Sequence, residues 1–380
     1  MLLKDCATIK GGKRLPKGQT LQEERNFHPY IRVKDMQKRY VSLSDGFEYV
    51  PENIFPSISR YTVNTDDIIL SIVGTVGLVA IVDKSLNNAN LTENCVKLFN
   101  IKNFLSKYIY YYLISESGQA QIQKGIVGST QPKFPLYNIE KIEIPDISIS
   151  KQQHIVDILG SIDEKIENNE KIITLLENKM LLGYDDFVSK IETEKVAMQD
   201  VFNITIGKTP PRKESHWFTT EPTDVKWLSI SDMGKAQVFA FDSNEKIVFE
   251  GIERYNVKVV PENTVLLSFK LTVGKVAITA CEMATNEAIA HFNTSDKNII
   301  EYLYCYLKRY DFDSLGNTSS IATAVNSKTI KAMEFSLPSQ NDLICFHNNT
   351  SDLLTKIKHL LVENHKLNEL KQLYLKKFFG

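Results

Sequence analysis

Cysteine is scarce: Cys6, Cys95, Cys281, Cys305 and Cys345 are odd in number, scattered, and form no CxxC pair. That excludes a disulfide frame and a zinc ribbon, and it predicts a reducing compartment. Long apolar runs are missing too. The longest uncharged stretch, residues 68–82, has 15 residues, short of the ~18 that suggest a membrane span. Its glycines and β-branched residues suit buried strands joined by a turn. The opening "MLLKDCATIK" lacks the apolar core of a signal peptide. A soluble, cytoplasmic protein with no membrane contact is expected.

Catalytic signatures are equally thin. There is no H-E-x-x-H, and Phe202 stands where a phosphate loop ending in Gly207-Lys208-Thr209 needs its first glycine. No [DN]-P-P-[FYW] methyltransferase motif occurs; "TPPR" at 209–212 is only an echo. A nuclease-like P-D…E-x-K assembled from Pro145, Asp146, Glu177 and Lys179 puts its last two members on a heptad helix. Two-metal chemistry needs carboxylates that converge on a rigid site. The seven histidines form no spaced pair. No catalytic residue and no metal site are expected. Charge is nearly balanced at −1 overall, with +3 over residues 1–150, −3 over 151–190, −3 over 191–340 and +2 beyond. No polybasic arm exists, so nucleic-acid binding would have to rest on local patches.

What is present is a repeat. "LSIVGTVG" at 70–77 returns as "LSFKLTVG" at 267–274, and "YIRVKDM" at 30–36 returns as "WLSISDM" at 227–233, both 197 residues on. "KYIYYYL" at 107–113 is matched by "EYLYCYL" at 301–307, and "IEIP" ending at Pro145 by "FSLP" ending at Pro338. The order holds while the offset drifts, as small loop deletions would cause. The chain is one unit of about 190 residues written twice.

Each copy runs into a helical stretch. Ile155, Leu159, Ile162, Ile166, Ile173, Leu176 and Met180 alternate in steps of four and three, with Asn169 as a polar seam position. Leu353, Ile357, Leu360, Leu367, Tyr374 and Phe378 repeat the design around Asn364. Two such rods can satisfy each other's seams, and a buried asparagine on each would set their register. A thirty-residue rod spans roughly 45 Å. The expected fold is α+β: two tandem mixed α/β domains, each followed by a long helix, the helices pairing as a coiled coil.

This pattern resembles the specificity (S) subunit of type I restriction-modification systems. The resemblance is carried most closely by "GSTQPKFPLYNIEKIEIPDISISKQQHIVDILGSIDEKI" at 128–166. There a G-S element, an I-P strand and a Q-x-x-I-x-x-x-L-x-x-I-D helix start follow one another. Gln152 or Gln153, Ile155, Leu159, Ile162 and Asp163 fill the last motif. "GGKRLPK" at 11–17 and "GKTPPR" at 207–212 are similar to the family's G-G-T-P element. The second helix start keeps Ile344 and Asp352 but sets His347 and Asn348 at apolar places. The resemblance implies target recognition domains at 1–150 and 186–340 and spacer helices at 151–185 and 341–380. It also implies a non-catalytic reader of bipartite, asymmetric double-stranded DNA. Its partners would be two methyltransferase (M) subunits carrying S-adenosylmethionine, and restriction (R) subunits using ATP and Mg.

Sequence-specific binding needs phosphate contacts for position and base-edge contacts for identity. Candidates are the basic elements Lys10, Lys13, Arg14, Lys17 and Lys208, Arg212, Lys213 near each copy's start. Ser71, Thr75, Ser268 and Thr272 join them from the repeated Gly turn, with Lys270 and Lys275 replacing Val73 and Leu78 in the second copy. Thr130, Gln131 and Lys133 follow a Gly-Ser turn, with Thr318, Ser319 and Ser320 at the corresponding place, and Arg32 and Lys34 alternate on an expected strand. The tyrosines of "YIYYYL" read as helix core. The rival reading is a coiled-coil scaffold or adaptor whose two domains hold protein or small ligands; a solitary nuclease lacks its site.

Overall fold

A computed structural model describes residues 1–270, 272–312 and 326–380. The chain divides into two compact units, Met1–Ile166 with Lys366–Gly380, and Glu167–His365. Thr318, Ser319 and Ser320 lie outside the described residues.

In the first unit five strands form one sheet: β1 (Thr8–Gly11), β2 (Tyr40–Val41), β3 (Ile68–Ser71), β4 (Val79–Val82) and β5 (Cys95–Phe99), in the order β1-β5-β3-β4-β2. The "IILS" strand is buried on both faces. Ile68 and Leu70 face the core that holds the tyrosine helix α1 (Ser106–Ile114), while Ile69 faces a second core with Ala80, Val82 and Cys95. That two-sided burial is why the long uncharged run exists. Tyr108, Tyr110, Tyr111 and Tyr112 are all buried, so they build the core rather than a stacking platform.

The second unit repeats the sheet with β6 (Asn203–Ile206), β7 (Phe239–Ala240), β8 (Val265–Ser268), β9 (Val276–Thr279) and β10 (Ile289–Asn293), in the order β6-β10-β8-β9-β7. Registers repeat as well. Ser71 pairs with Cys95 and Leu70 with Val79, as Ser268 pairs with Ile289 and Leu267 with Val276. A second antiparallel pair, Thr193–Ala197 with Glu334–Pro338, joins the two ends of the segment that lies between the long helices. Helix α3 (Ile300–Arg309) takes the place of α1, with Tyr302, Tyr304 and Cys305 fully buried.

The two long helices, α2 (Ile149–Val188) and α4 (Gln340–Phe379), each contribute to both units. They pair antiparallel. Within the second unit Asn169 Nδ2 donates to Asn364 Oδ1 at 2.8 Å and to Glu363 Oε2 at 2.8 Å, and both asparagines are buried. Within the first, Asp163 meets Lys371 at 2.7 Å.

Two details differ from the periodicity. In the last turn of α4 the buried residues are Leu375 and Phe379, with Tyr374 and Phe378 only half-buried. Phe379 packs against Tyr108 and Tyr112, so the tertiary core rather than the partner helix sets which face turns inward. At the start of α4, Ile344 and Asp352 are exposed while Leu343, Phe346, Thr350 and Leu354 are buried. His347 sits beside them because its Nδ1 pairs with the buried Glu301 at 2.9 Å.

One buried group sets a pH limit. His291 on β10 has no solvent exposure and is held between Thr205 Oγ1 at 2.9 Å and Thr285 Oγ1 at 2.7 Å. Burial pushes its pKa down to about 4. The folded chain therefore holds a neutral imidazole, whereas the unfolded chain takes up a proton near pH 6.5. Stability from this site is complete above that pH and falls as pH drops toward 4. Between pH 7.5 and pH 5 it should lose about 2 kcal/mol. Denaturant midpoints for wild type and His291→Asn at both pH values check this; the same pH dependence in the two proteins would remove His291 as its source.

Candidate nucleic-acid interface

The loops leaving β1 and β3 and those entering β4 and β5 emerge at one end of the first sheet, because these strands alternate in direction. This end gathers most of the first copy's candidates. Arg14, Lys17, Arg32 and Lys34 line an open cleft of about 1100 Å³ together with Tyr30, Glu48, Glu93 and Asn94. Lys13 is exposed beside them.

The next loop joins them through the backbone: the Ile72 amide donates to the Asn94 carbonyl at 2.7 Å. The Gly turn in turn meets the Gly-Ser loop, since Val73 bridges Lys133 and the Phe134 amide donates to the Ile72 carbonyl at 2.9 Å. Thr75, Thr130, Gln131 and Lys133 are exposed there. Gly128 holds a left-handed φ of 86°, which a residue with a Cβ adopts only with strain.

The second unit builds the same end from β6, β8, β9 and β10. Lys208, Arg212 and Lys213 are exposed on its entry loop, and Lys270 and Lys275 are exposed on its Gly turn. Arg212 stacks on Phe218 and Trp227, 4.0 and 4.6 Å from the ring centres, and pairs with Glu245 at 2.8 Å.

Three sequence readings need correction. Ser71 and Ser268 do not offer their hydroxyls to a ligand. Each is buried; Ser71 Oγ donates to the Thr75 carbonyl and accepts from the Leu78 amide, and Ser268 Oγ does the same with Thr272 and Lys275. The repeated serine is a turn device. Gly77 and Gly274, at φ 96° and 86°, complete it by donating to the serine carbonyls at 3.0 Å. Of the four hydroxyl residues, Thr75 and Thr272 are the exposed pair.

Arg32 and Lys34 are not on a strand. The strand stops at Ile31, and residues 33–35 form a 3₁₀ turn because the Asp35 carboxylate captures the Arg32 amide at 2.7 Å. Asp232 captures the Ser229 amide in the same way at 3.1 Å. Arg32 and Lys34 are also not free cations, since Glu48 pairs with both.

The positions that sequence reasoning missed are those that hold the entry loops. Gly12 and Gly207 cross so close to the β5 and β10 entry segments that a Cβ would collide with the carbonyl of Thr92 or Asn286. One residue later, the Lys13 carbonyl accepts from Tyr30 Oη at 2.9 Å and the Lys208 carbonyl from Trp227 Nε1 at 3.1 Å. A phenol and an indole perform the same task at equivalent places. Burial pushes the Tyr30 pKa up to about 12, so the phenol keeps the proton it donates. The offset of 197 between Tyr30 and Trp227 was visible, but their polar tips carry no signal until the loop is in place.

Among the described residues no three His, Cys, Asp or Glu side chains converge to hold a metal ion, and no helix is long and apolar enough to cross a membrane.

The family model described as "Type I restriction modification DNA specificity domain" matches this chain twice, at residues 1–178 and 190–372. The specificity subunit of the type I restriction enzyme HindI from Haemophilus influenzae is 27% identical over 186 residues, 48% of this chain and 40% of that protein. The MjaIX specificity subunit from Methanocaldococcus jannaschii is 22% identical over 331 residues, 80% of this chain and 74% of that protein. The crystal structure of a type I restriction-modification S subunit from M. genitalium superposes with a TM-score of 0.56 at 15% identity. That superposition covers 100% of this chain and 95% of the other, and at such identity it speaks for the fold alone.

Proposed function

This chain belongs to the family of type I restriction modification DNA specificity domains, and from that premise we propose that each unit reads one half of a bipartite duplex site. The chain itself performs no chemistry in this reading. The observation that carries it is the repeated sheet end, where the same strand registers present a basic loop, a Gly turn and the segment entering β5 or β10.

The halves differ in the side chains they present. Arg32 and Lys34 of the first unit correspond to Ser229 and Ser231, and Val73 and Leu78 to Lys270 and Lys275. Unlike readers favour an asymmetric target. The helix pair would hold the gap, and Asn169 and Asn364 would set its register. Replacing both by Leu should leave a folded and more stable chain with altered helix register. Distance measurements along α2 and α4 that match wild type would remove that role.

Two methyltransferase subunits carrying S-adenosylmethionine, and restriction subunits using ATP and Mg, would supply the chemistry in the cytoplasm. Methylome sequencing of a host with and without this chain tests the function. A motif that vanishes with the chain is expected; an unchanged methylome would leave a scaffold role in its place. Cognate duplex affinity should fall steeply, about 10³-fold or more between ~50 and ~200 mM salt if six or more phosphates are engaged. Binding indifferent to salt would count against phosphate contact.

A further inference from the structure

Each reader keeps an acid in the middle of its basic end. Glu93 stands two residues before the first residue of β5, and Glu287 two residues before the first residue of β10. Both reach back to the entry loop: Glu93 Oε1 accepts from Arg14 Nε at 2.5 Å, and Glu287 Oε2 accepts from Thr209 Oγ1. The other Glu93 oxygen accepts from Thr92 Oγ1 at 3.2 Å and faces Tyr30 Oη at 3.5 Å.

Partial burial works to raise the Glu93 pKa, but the Arg14, backbone and Thr92 hydrogen bonds outweigh it and hold the group below the ordinary carboxylate value. It is therefore ionised at neutral pH. A site that only attracted phosphates would gain nothing from a fixed negative charge on its cleft wall. Glu93 holds the largely exposed Arg14 side chain by its Nε alone, and a fixed carboxylate repels any backbone that approaches without offering a donor.

Resting on the DNA-reading function above, we infer that Glu93 and Glu287 are discriminating residues of the two half-site readers. Each carboxylate tolerates the duplex only where a base presents an exocyclic amino group, cytosine N4 above all. Among base edges in the major groove that amino group is the natural donor to a carboxylate. When the cognate base supplies it, Arg14 is released to the neighbouring phosphate and the acid keeps a partner. When no amino group is present, the acid keeps its hold on the entry loop, its negative charge faces the duplex without a donor from the base, and binding weakens.

Glu93→Gln tests this with the full chain, alone and with its methyltransferase partners, on duplexes bearing the methylome motif or a scrambled one. Non-cognate affinity should rise ~3–10-fold at about 100 mM salt, and the salt slope should steepen by ~0.9 as one more phosphate is engaged. The methylated motif should relax at one position of the first half only, and Glu287→Gln should relax one position of the second. If Glu93→Gln instead weakens cognate and scrambled duplex alike, with the salt slope unchanged, Glu93 is a loop brace and the inference falls. Arg14→Ala gives a second check, since it leaves the acid uncompensated and should lower scrambled-duplex affinity; a rise there would also overturn the inference. A wild-type complex that does not distinguish the two duplexes overturns the DNA-reading function as well.

Discussion

Asp163→Ala should cost the first unit about 3–5 kcal/mol of stability, the usual penalty for breaking a buried ion cluster from one side. Asp163 is buried on α2, where Lys371 Nζ reaches Oδ1 at 2.7 Å and Tyr111 Oη donates to Oδ2 at 2.8 Å. Arg39 Nη1 lies 3.6 Å from the same Oδ2 and donates to Tyr111 Oη at 3.3 Å. Both the Arg39 and Asp163 side chains are under a tenth exposed.

The carboxylate thus ties four segments of the unit together: the loop before β2, helix α1, helix α2 and the end of α4. Its removal takes the shared anion away from both Arg39 and Lys371, whose side chains are largely buried. Burial, reinforced by Asp163, already raises the Tyr111 pKa, so the phenol cannot supply the missing charge. Chemical denaturation of the variant measures the loss. A change below about 1 kcal/mol would show that the cluster is not the tie described here. Replacing Asp163, Arg39 and Lys371 together by Leu, Met and Met should recover much of the loss, because an apolar cluster leaves no charge unpaired.

Exchange of residues 191–340 for the matching segment of a related chain should change one half of the methylated sequence completely and leave the other half and the spacing intact. The cut points have a structural reason. Strands Thr193–Ala197 and Glu334–Pro338 pair with each other, so the graft carries both and separates neither from its partner. It also carries β6, β8, β9 and β10 with their loops, and hence every reading residue proposed for that unit. The junction most exposed to mismatch is aromatic: Tyr184 and Phe346, outside the graft, pack on Tyr302 within it. A donor with an aromatic residue at that place should therefore fold best. Methylome sequencing reads the outcome. A change in both halves would refute independent reading, and a folded chimera without any DNA binding would favour the scaffold alternative.

The duplication, the buried strands, the tyrosine helices and the helical seam were all legible in the chain because each is a local or periodic property. Residues such as Leu70 and Leu267, or Asn169 and Asn364, carry their meaning in spacing alone. The basic loops could also be picked out as candidates, since exposed Lys and Arg near glycine need no partner to be noticed.

What the sequence could not determine was which polar groups are already spent. Ser71 and Thr75 look equivalent in "LSIVGTVG", yet one hydroxyl closes the turn and the other residue is exposed. Arg32 looks like a free reader until Glu48, sixteen residues on, is folded against it. Glu93 and Asp163 are ordinary acids in a helical or turn context until Arg14 and Lys371 arrive from segments 79 and 208 residues away. Hydrogen bonds and ion pairs depend on distances of a few ångströms between residues far apart in sequence, and spacing along the chain does not encode them. The sequence determined the two-fold design and its cores; only the tertiary structure decided which charges remain to meet a partner.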